Sequence, residues 1–224
     1  MQEFSWDTDR QARTGIEEAV YCEGKSIAQI RHILQFHQQN QTQVLLTRFS
    51  AEQHNALAGE FATQLEYCEQ GKIAIFGEPK PVINRSDICI VTAGTSDVAL
   101  AKEAQVTLKY HGFESPIIAD VGVAGLHRLL NKLDEIKQYK LVIAVAGMEG
   151  ALFSVLAGLI KAPVIAVPSS VGYGVSVNGQ SALSSALSAC APGILTVNID
   201  NAFGAAIAAV KTLNMFHACA EQEK

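Results

Sequence analysis

No lysine or arginine cluster appears in the 224 residues, and with 17% charged residues and a formal net charge of −5 the chain has little with which to neutralise a polyphosphate. Nucleic-acid binding depends mainly on that neutralisation, so a nucleic-acid partner is excluded. A small anionic ligand is not, because backbone N–H groups at helix starts bind one without a basic surface. The opening MQEFSWDTDRQARTG has no apolar signal core, and its acidic residues do not suit a transit peptide, so a cytoplasmic protein is expected. The five cysteines (Cys22, Cys68, Cys89, Cys190, Cys219) are scattered without a C-x-x-C pair. Neither a disulfide framework nor a zinc site is indicated, and free thiols are expected.

An unbroken membrane-length apolar run is missing too. Leu141 to Ile160 is long enough, but Glu149 stands near its centre, Gly147, Gly150 and Gly158 lie inside it, and Pro163 follows. No membrane partner is expected. The run reads better as a strand (Leu141 to Ala146), a Gly-Met-Glu-Gly turn, a helix (Ala151 to Ile160) and a second buried strand (Val164 to Val167).

What the chain does contain is that β-α-β grammar, repeated from about residue 86. DICIVTAGTSD leads into a helix near Val98 to His111, SPIIADVGVAG into Leu126 to Gln138, APVIAVPSSVGYG into Gly179 to Ala189, and GILTVNIDNAFG into Ala205 to Ala218. Five strand–loop–helix units predict an α/β fold, a parallel sheet with helices on both faces. Before it, a small α/β domain is expected over residues 1–85, with 86–224 forming the core domain. In the first, Ile27, Ile30, Leu34 and His37 mark one helix face and Leu57, Phe61, Leu65 and Cys68 another, with QVLLTRF and KIAIF as strands.

In open parallel sheets ligands bind beyond the carboxyl ends of the strands. AGTSD offers Gly94, Thr95, Ser96 and Asp97 for a phosphate or ribose, against a bland role as helix caps. DVGVAG adds Asp120 and Gly122, VAGMEG adds Gly147, Met148 and Glu149, PSSVGYG adds Ser169, Ser170, Gly172 and Tyr173, and NIDNAFG adds Asp200 and Asn201. Asp120 and Asp200 could place a divalent ion such as Mg2+ on a phosphoanhydride, or simply order their loops. None of these loops is a G-x-G-x-x-G or a P-loop, so motif rules do not name the ligand.

The blocks AGTSD, DVGVAGLHRLL, VAGMEGAL, VPSSVGYG, ACAPG and VNIDNAFGAA, with RQARTGIEEAVYCEGKS near the start, resemble the LarB family of nickel-pincer nucleotide cofactor biosynthesis. The core also resembles PurE, the aminoimidazole ribonucleotide carboxylase fold. The resemblance implies carboxylation of the pyridinium ring of nicotinic acid adenine dinucleotide by carbon dioxide or bicarbonate. Cleavage of the phosphoanhydride then gives pyridinium-3,5-biscarboxylic acid mononucleotide and AMP. It implies a homo-octamer, no organic cofactor, and a thiol nucleophile at Cys190.

An electron-poor pyridinium carbon attacks carbon dioxide only after a soft nucleophile has added beside it and left an enamine; a base then removes the ring proton. Cys190 would be that nucleophile, although a cysteine between alanines also fills cores well. It lies near the C-terminal end of its helix, where the dipole disfavours a thiolate. Glu149 would be the base, its alternative being a helix N-terminal cap. Arg10 and Arg13 could reach an anionic substrate or form a solvated arm, and His127 with Arg128 reads as structural or subunit-contact.

After VGYG the chain departs from the family. It has VSVNGQSALSSA where Ala-Ser-Phe-Gly-Gly-Leu-Ala-Ala is expected, with Val177 at the aromatic position and Asn178 at a glycine. Two other readings stand beside the first. One is a PurE-type carboxylase or mutase, whose Gly-Gly-Ala-Ala-His loop is here VAGMEGAL; the other is a non-catalytic nucleotide-binding module.

Overall fold

The computed structural model describes residues 4–78, 80–82 and 87–222. The chain divides into two compact units, Met1–Pro81 and Val82–Lys224. The boundary expected between residues 85 and 86 lies outside the described residues.

In the first unit a short helix α1 (Arg10–Thr14) precedes β1 (Ala19–Tyr21), α2 (Ile27–Gln39), β2 (Val44–Thr47), α3 (Ala51–Phe61), β3 (Leu65–Cys68) and β4 (Ile73–Phe76). Both longer helices start on capping boxes, Ser26 with Gln29 and Ser50 with Gln53, which satisfy two otherwise orphaned backbone donors at each start. The sheet runs β1-β2-β4-β3, with β1 parallel to β2 and the remaining pairs antiparallel. Ile30, Leu34 and His37 are buried, as their spacing predicts.

The second helix face is only half present. α3 stops at Phe61, and Leu65–Cys68 is an edge strand paired with Ile73–Phe76. Leu57, Phe61, Leu65 and Cys68 fit a helical period, yet Leu65 is buried and Glu66 exposed because the chain turns after Phe61 and continues extended. Arg13 is ion-paired to Asp7 at 2.6 Å on the surface, the solvated-arm alternative.

The second unit runs β5 (Ile88–Thr92), α4 (Val98–Tyr110), β6 (Ile117–Ile118), α5 (Leu126–Ile136), β7 (Leu141–Ala146), α6 (Ala151–Leu159), β8 (Val164–Pro168), α7 (Gln180–Leu187), β9 (Ile194–Thr196) and α8 (Ala202–Gln222). Every strand pair is parallel and the order is β6-β5-β7-β8-β9. Every residue of β5, β7 and β8 is buried, which is why they read as continuous apolar runs. α8 is long and apolar enough to cross a membrane by composition alone. Its Ala202, Ala205, Ala206, Ala209 and Val210 are buried, however, and it packs against α4, so its small apolar face belongs to the core.

Candidate active site

In a sheet with this order the chain reverses direction between β5 and β7, and the crevice at that switch point is where such folds bind ligands. A cleft of about 320 Å³ lies there. Gly94, Ser96 and Asp97 line it from the loop after β5, Asp120 and Gly122 from the loop after β6, and Gly147, Met148 and Glu149 from the loop after β7. These eight residues are the ones the structure brings together.

Close backbone contacts build the rim. The Thr92 hydroxyl donates to the Gly94 carbonyl at 3.0 Å and accepts from the Asp120 N–H at 3.2 Å, tying the first two loops. A Cβ on Gly122 would stand 2.7 Å from the Ala93 carbonyl oxygen, and one on Gly147 2.2 Å from that of Val171, so neither position accepts a side chain without moving backbone. The Met148 N–H donates to the Val171 carbonyl at 3.0 Å, which brings the β8 loop over the β7 loop.

Asp97 is the enclosed carboxylate of the cleft. It is 3% exposed and its Oδ2 accepts the Gly94 N–H at 2.9 Å. Burial pushes its carboxyl above the ordinary range, opposed by the Gly94 N–H and the Ser169 hydroxyl and assisted by the negative charge of Asp200. Glu149 sits exposed on its turn, just ahead of α6.

Other expected residues lie around the cleft rather than on its walls. Thr95 is exposed, and Ser169 is fully buried, its hydroxyl accepting the Val171 N–H at 3.2 Å. The Ser170 N–H donates to Asp200 Oδ1 at 2.8 Å, joining the β8 and β9 loops. Asn201 caps α8 by accepting the Gly204 N–H at 2.9 Å. Gly172 is pressed against Ser176, where a Cβ would meet the carbonyl oxygen at 2.3 Å, and Tyr173 is 76% exposed. Asn178, at the position where the resemblance expects glycine, has φ +60°, in the left-handed region that asparagine tolerates better than most residues.

Asp120 is paired with Arg128, which reaches back from the first turn of α5. Among the described residues, Arg128 is the only lysine or arginine lining the cleft. The sequence signal for it was weak, because it lies eight positions after Asp120, beyond a short 3-10 turn (Val123–Gly125). The Asp120 N–H donates to the Thr92 hydroxyl at the end of β5, and the Asp200 N–H to the Pro168 carbonyl at the end of β8 at 2.9 Å. Each is already engaged, and among the described residues no group of three or more histidine, cysteine or acidic side chains is arranged to hold a metal. The pair does not fit a shared divalent site.

Cys190 is exposed in the turn between α7 and β9. That turn enters β9 at its amino end, where Gly193 accepts the Val164 N–H at 3.0 Å. Glu149 follows the carboxyl end of β7. Within one chain the two therefore stand at opposite ends of the sheet, the length of a strand apart, about 17 Å.

Residues 87–223 match the family described as AIR carboxylase, and residues 1–78 the LarB/PurE-like N-terminal domain. The chain belongs to the LarB/PurE-like carboxylase family. An uncharacterized protein of Methanocaldococcus jannaschii is 37% identical to it over 221 residues, covering 94% of this chain and 84% of that one. Among solved structures, Treponema denticola PurE matches at 21% identity and a TM-score of 0.41, covering 62% of this chain and 95% of its own. A variant PurE from the same organism matches at 22% and 0.44, covering 62% and 94%.

The first unit of this LarB/PurE-like chain has a larger recess, about 1060 Å³. Asp7, Glu17, Glu18 and Glu78 line it and, among the described residues, no lysine or arginine does. Its walls disfavour an anionic nucleotide, so volume alone does not make it the better site.

Proposed function

We propose that the protein carboxylates the pyridinium ring of nicotinic acid adenine dinucleotide and cleaves its phosphoanhydride, giving pyridinium-3,5-biscarboxylic acid mononucleotide and AMP. Family membership supports a carboxylase. The observation that favours this substrate is the cleft wall, which carries the carboxylate of Glu149 and no histidine. A PurE-type site has its histidine in the equivalent loop and acts on an electron-rich enamine that needs no nucleophile. A pyridinium needs both a nucleophile and a base.

In this reading the Cys190 thiolate adds to a ring carbon and leaves an enamine, whose neighbouring carbon attacks carbon dioxide. Glu149 then takes the proton from that carbon, the C–S bond breaks, and the ring regains its aromatic cation. Because Cys190 stands a strand length from Glu149 in its own chain, a second copy delivers the sulfur. Tyr173, Val175, Leu187 and Leu195 are exposed apolar side chains on the β8, α7 and β9 segments. They are suited to burial between copies, in keeping with an octamer. At about 320 Å³ the cleft is at the small end of ligand sites and suits the pyridinium mononucleotide half, leaving the AMP half outside it.

Incubation with nicotinic acid adenine dinucleotide, bicarbonate and magnesium tests the proposal by chromatography and mass spectrometry. Release of AMP together with a mononucleotide carrying one more carboxylate is the expected result. Turnover of aminoimidazole ribonucleotide instead selects the PurE-type reaction, and binding without turnover the non-catalytic module; either outcome overturns the proposal.

A further inference from the structure

Arg128 belongs to the first turn of α5, yet its side chain folds back past the Val123–Gly125 turn, lines the cleft and meets Asp120 in the loop after β6. Two local features allow this. Gly125 has no side chain, and a Cβ there would stand 2.6 Å from Nε and 3.1 Å from Nη2 of Arg128, so any other residue would push the guanidinium away. Asp120 is anchored at the other end of the turn. Its backbone is left-handed, with φ +59°, and its N–H donates to the buried Thr92 hydroxyl at 3.2 Å. The pair engages only Nη1 of Arg128 and Oδ2 of Asp120. Among the described residues the guanidinium makes no other hydrogen bond, which leaves most of its planar fork of donors for a ligand.

A carboxylate beside the cation of a binding site acts in two opposed ways. Its charge repels an incoming anion. It also holds a long side chain in one place, so that binding no longer has to freeze an arginine sampling many rotamers. In this pair Arg128 and Asp120 are 40% and 45% exposed, and water at that exposure screens the repulsion. The direction of a held planar fork is not screened. Positioning therefore outweighs repulsion here.

We propose that Asp120 is a positioning residue, holding Arg128 by Nη1 alone so that the remaining donors clamp one oxyanion of the ligand, with Gly125 keeping the space in which the guanidinium sits. The group clamped is a carboxylate or a phosphate, whose paired oxygens match the fork. The dinucleotide as its carrier rests on the function proposed above; the affinity of the clamp for a simple oxyanion does not.

Calorimetric titration with inorganic phosphate, nicotinate and nicotinic acid adenine dinucleotide tests the clamp, and the first two tell which oxyanion it takes. Asp120→Gly suits the left-handed backbone and removes only the side chain. It should weaken binding about fivefold although it deletes a negative charge from the cleft. Gly125→Ala should weaken binding at least as much while thermal melting stays unchanged, because the atoms its Cβ meets are the movable end of an arginine. Once Arg128 is leucine, Asp120→Gly should cause no further loss, since a residue that acts through another has nothing left to act on. In turnover, Asp120→Gly should raise KM about fivefold and leave kcat within about twofold, whereas a distorted loop would lower kcat as well. A loss for phosphate or nicotinate without one for the dinucleotide keeps the role of Asp120 and sinks the substrate assignment. If none of the three ligands binds Asp120→Gly more weakly than wild type, or if the loss recurs in the Arg128→Leu background, the role itself is overturned.

Discussion

Two dead variants should revive each other when mixed. Cys190 and Glu149 are separated by a strand of the same sheet, about 17 Å, and neither the turn at Ala189–Gly193 nor the Gly147–Gly150 turn is long enough to close that gap. A site using both therefore draws sulfur from one copy and carboxylate from another. Cys190→Ala and Glu149→Gln should each lower carboxylation at least about a hundredfold, the usual range for a missing nucleophile or base. When the two are unfolded and refolded together at equal amounts, half the carboxylates are intact and half the thiols. Random assembly then completes about a quarter of the sites, and roughly a quarter of wild-type activity returns. Each variant refolded alone stays inactive, which excludes a general benefit of refolding. If the mixture remains as inactive as its parts while size-exclusion chromatography shows mixed oligomers, the shared site is wrong, and so is the mechanism that requires it.

Two other outcomes follow from the local geometry. Arg128→Leu removes the sole lysine or arginine of the cleft among the described residues and is expected to raise KM for the dinucleotide about tenfold or more. Its partly exposed pair with Asp120 contributes under about 1 kcal/mol, so thermal melting should barely change. In the first unit, His37 is 1% exposed and burial holds its imidazole at about 4, below the ordinary 6.5. The unfolded chain therefore takes a proton first as pH falls below 6.5, and stability is lost down to about 4, by roughly 3 kcal/mol in all. The ring of Trp6, the only tryptophan, lies 4.4 Å from that of His37, so its fluorescence in urea titrations reports the loss, and an unfolding midpoint flat from pH 7 to 4 contradicts it.

The parallel core was legible because strands covered on both faces leave unbroken runs of valine, isoleucine and alanine, and because each run ends in a turn that opens a helix. That grammar placed all five units, even where β6 hydrogen-bonds through only Ile117 and Ile118. The site was legible to the level of loops, not walls. Sequence order puts Ser169 and Asp200 beside Asp97 as equals, but the depth of each side chain depends on how the β8 loop folds over the β7 loop, a tertiary contact through Val171. Arg128 was read as structural or subunit-contact because it enters the cleft by way of a helix and not a strand end. Leu65 and Cys68 misled because a four-residue strand after a turn can keep a helical spacing by coincidence.

The position of Cys190 was also readable in principle, and it changes what the resemblance implies. A residue that follows a helix and precedes a strand in a parallel sheet lies at the amino end, away from the loops that bind ligands. Three strand-end residues that are not glycine, Asp120, Met148 and Asp200, hold positive φ of +59°, +50° and +56° in those loops. Each such conformation costs about 1–2 kcal/mol, strain that folds tolerate where a rim must be shaped for a ligand. The carboxyl end thus bears the marks of a binding site, while the turn at Cys190 bears an exposed thiol beside exposed Leu187 and Leu195. If Cys190 is the nucleophile proposed above, a pocket strained into shape at one end and a thiol presented at the other fit together when the thiol serves a neighbour's pocket. If the site is shared in this way catalysis depends on assembly, and specific activity should fall on dilution below the dissociation constant of the assembly even though each chain stays folded.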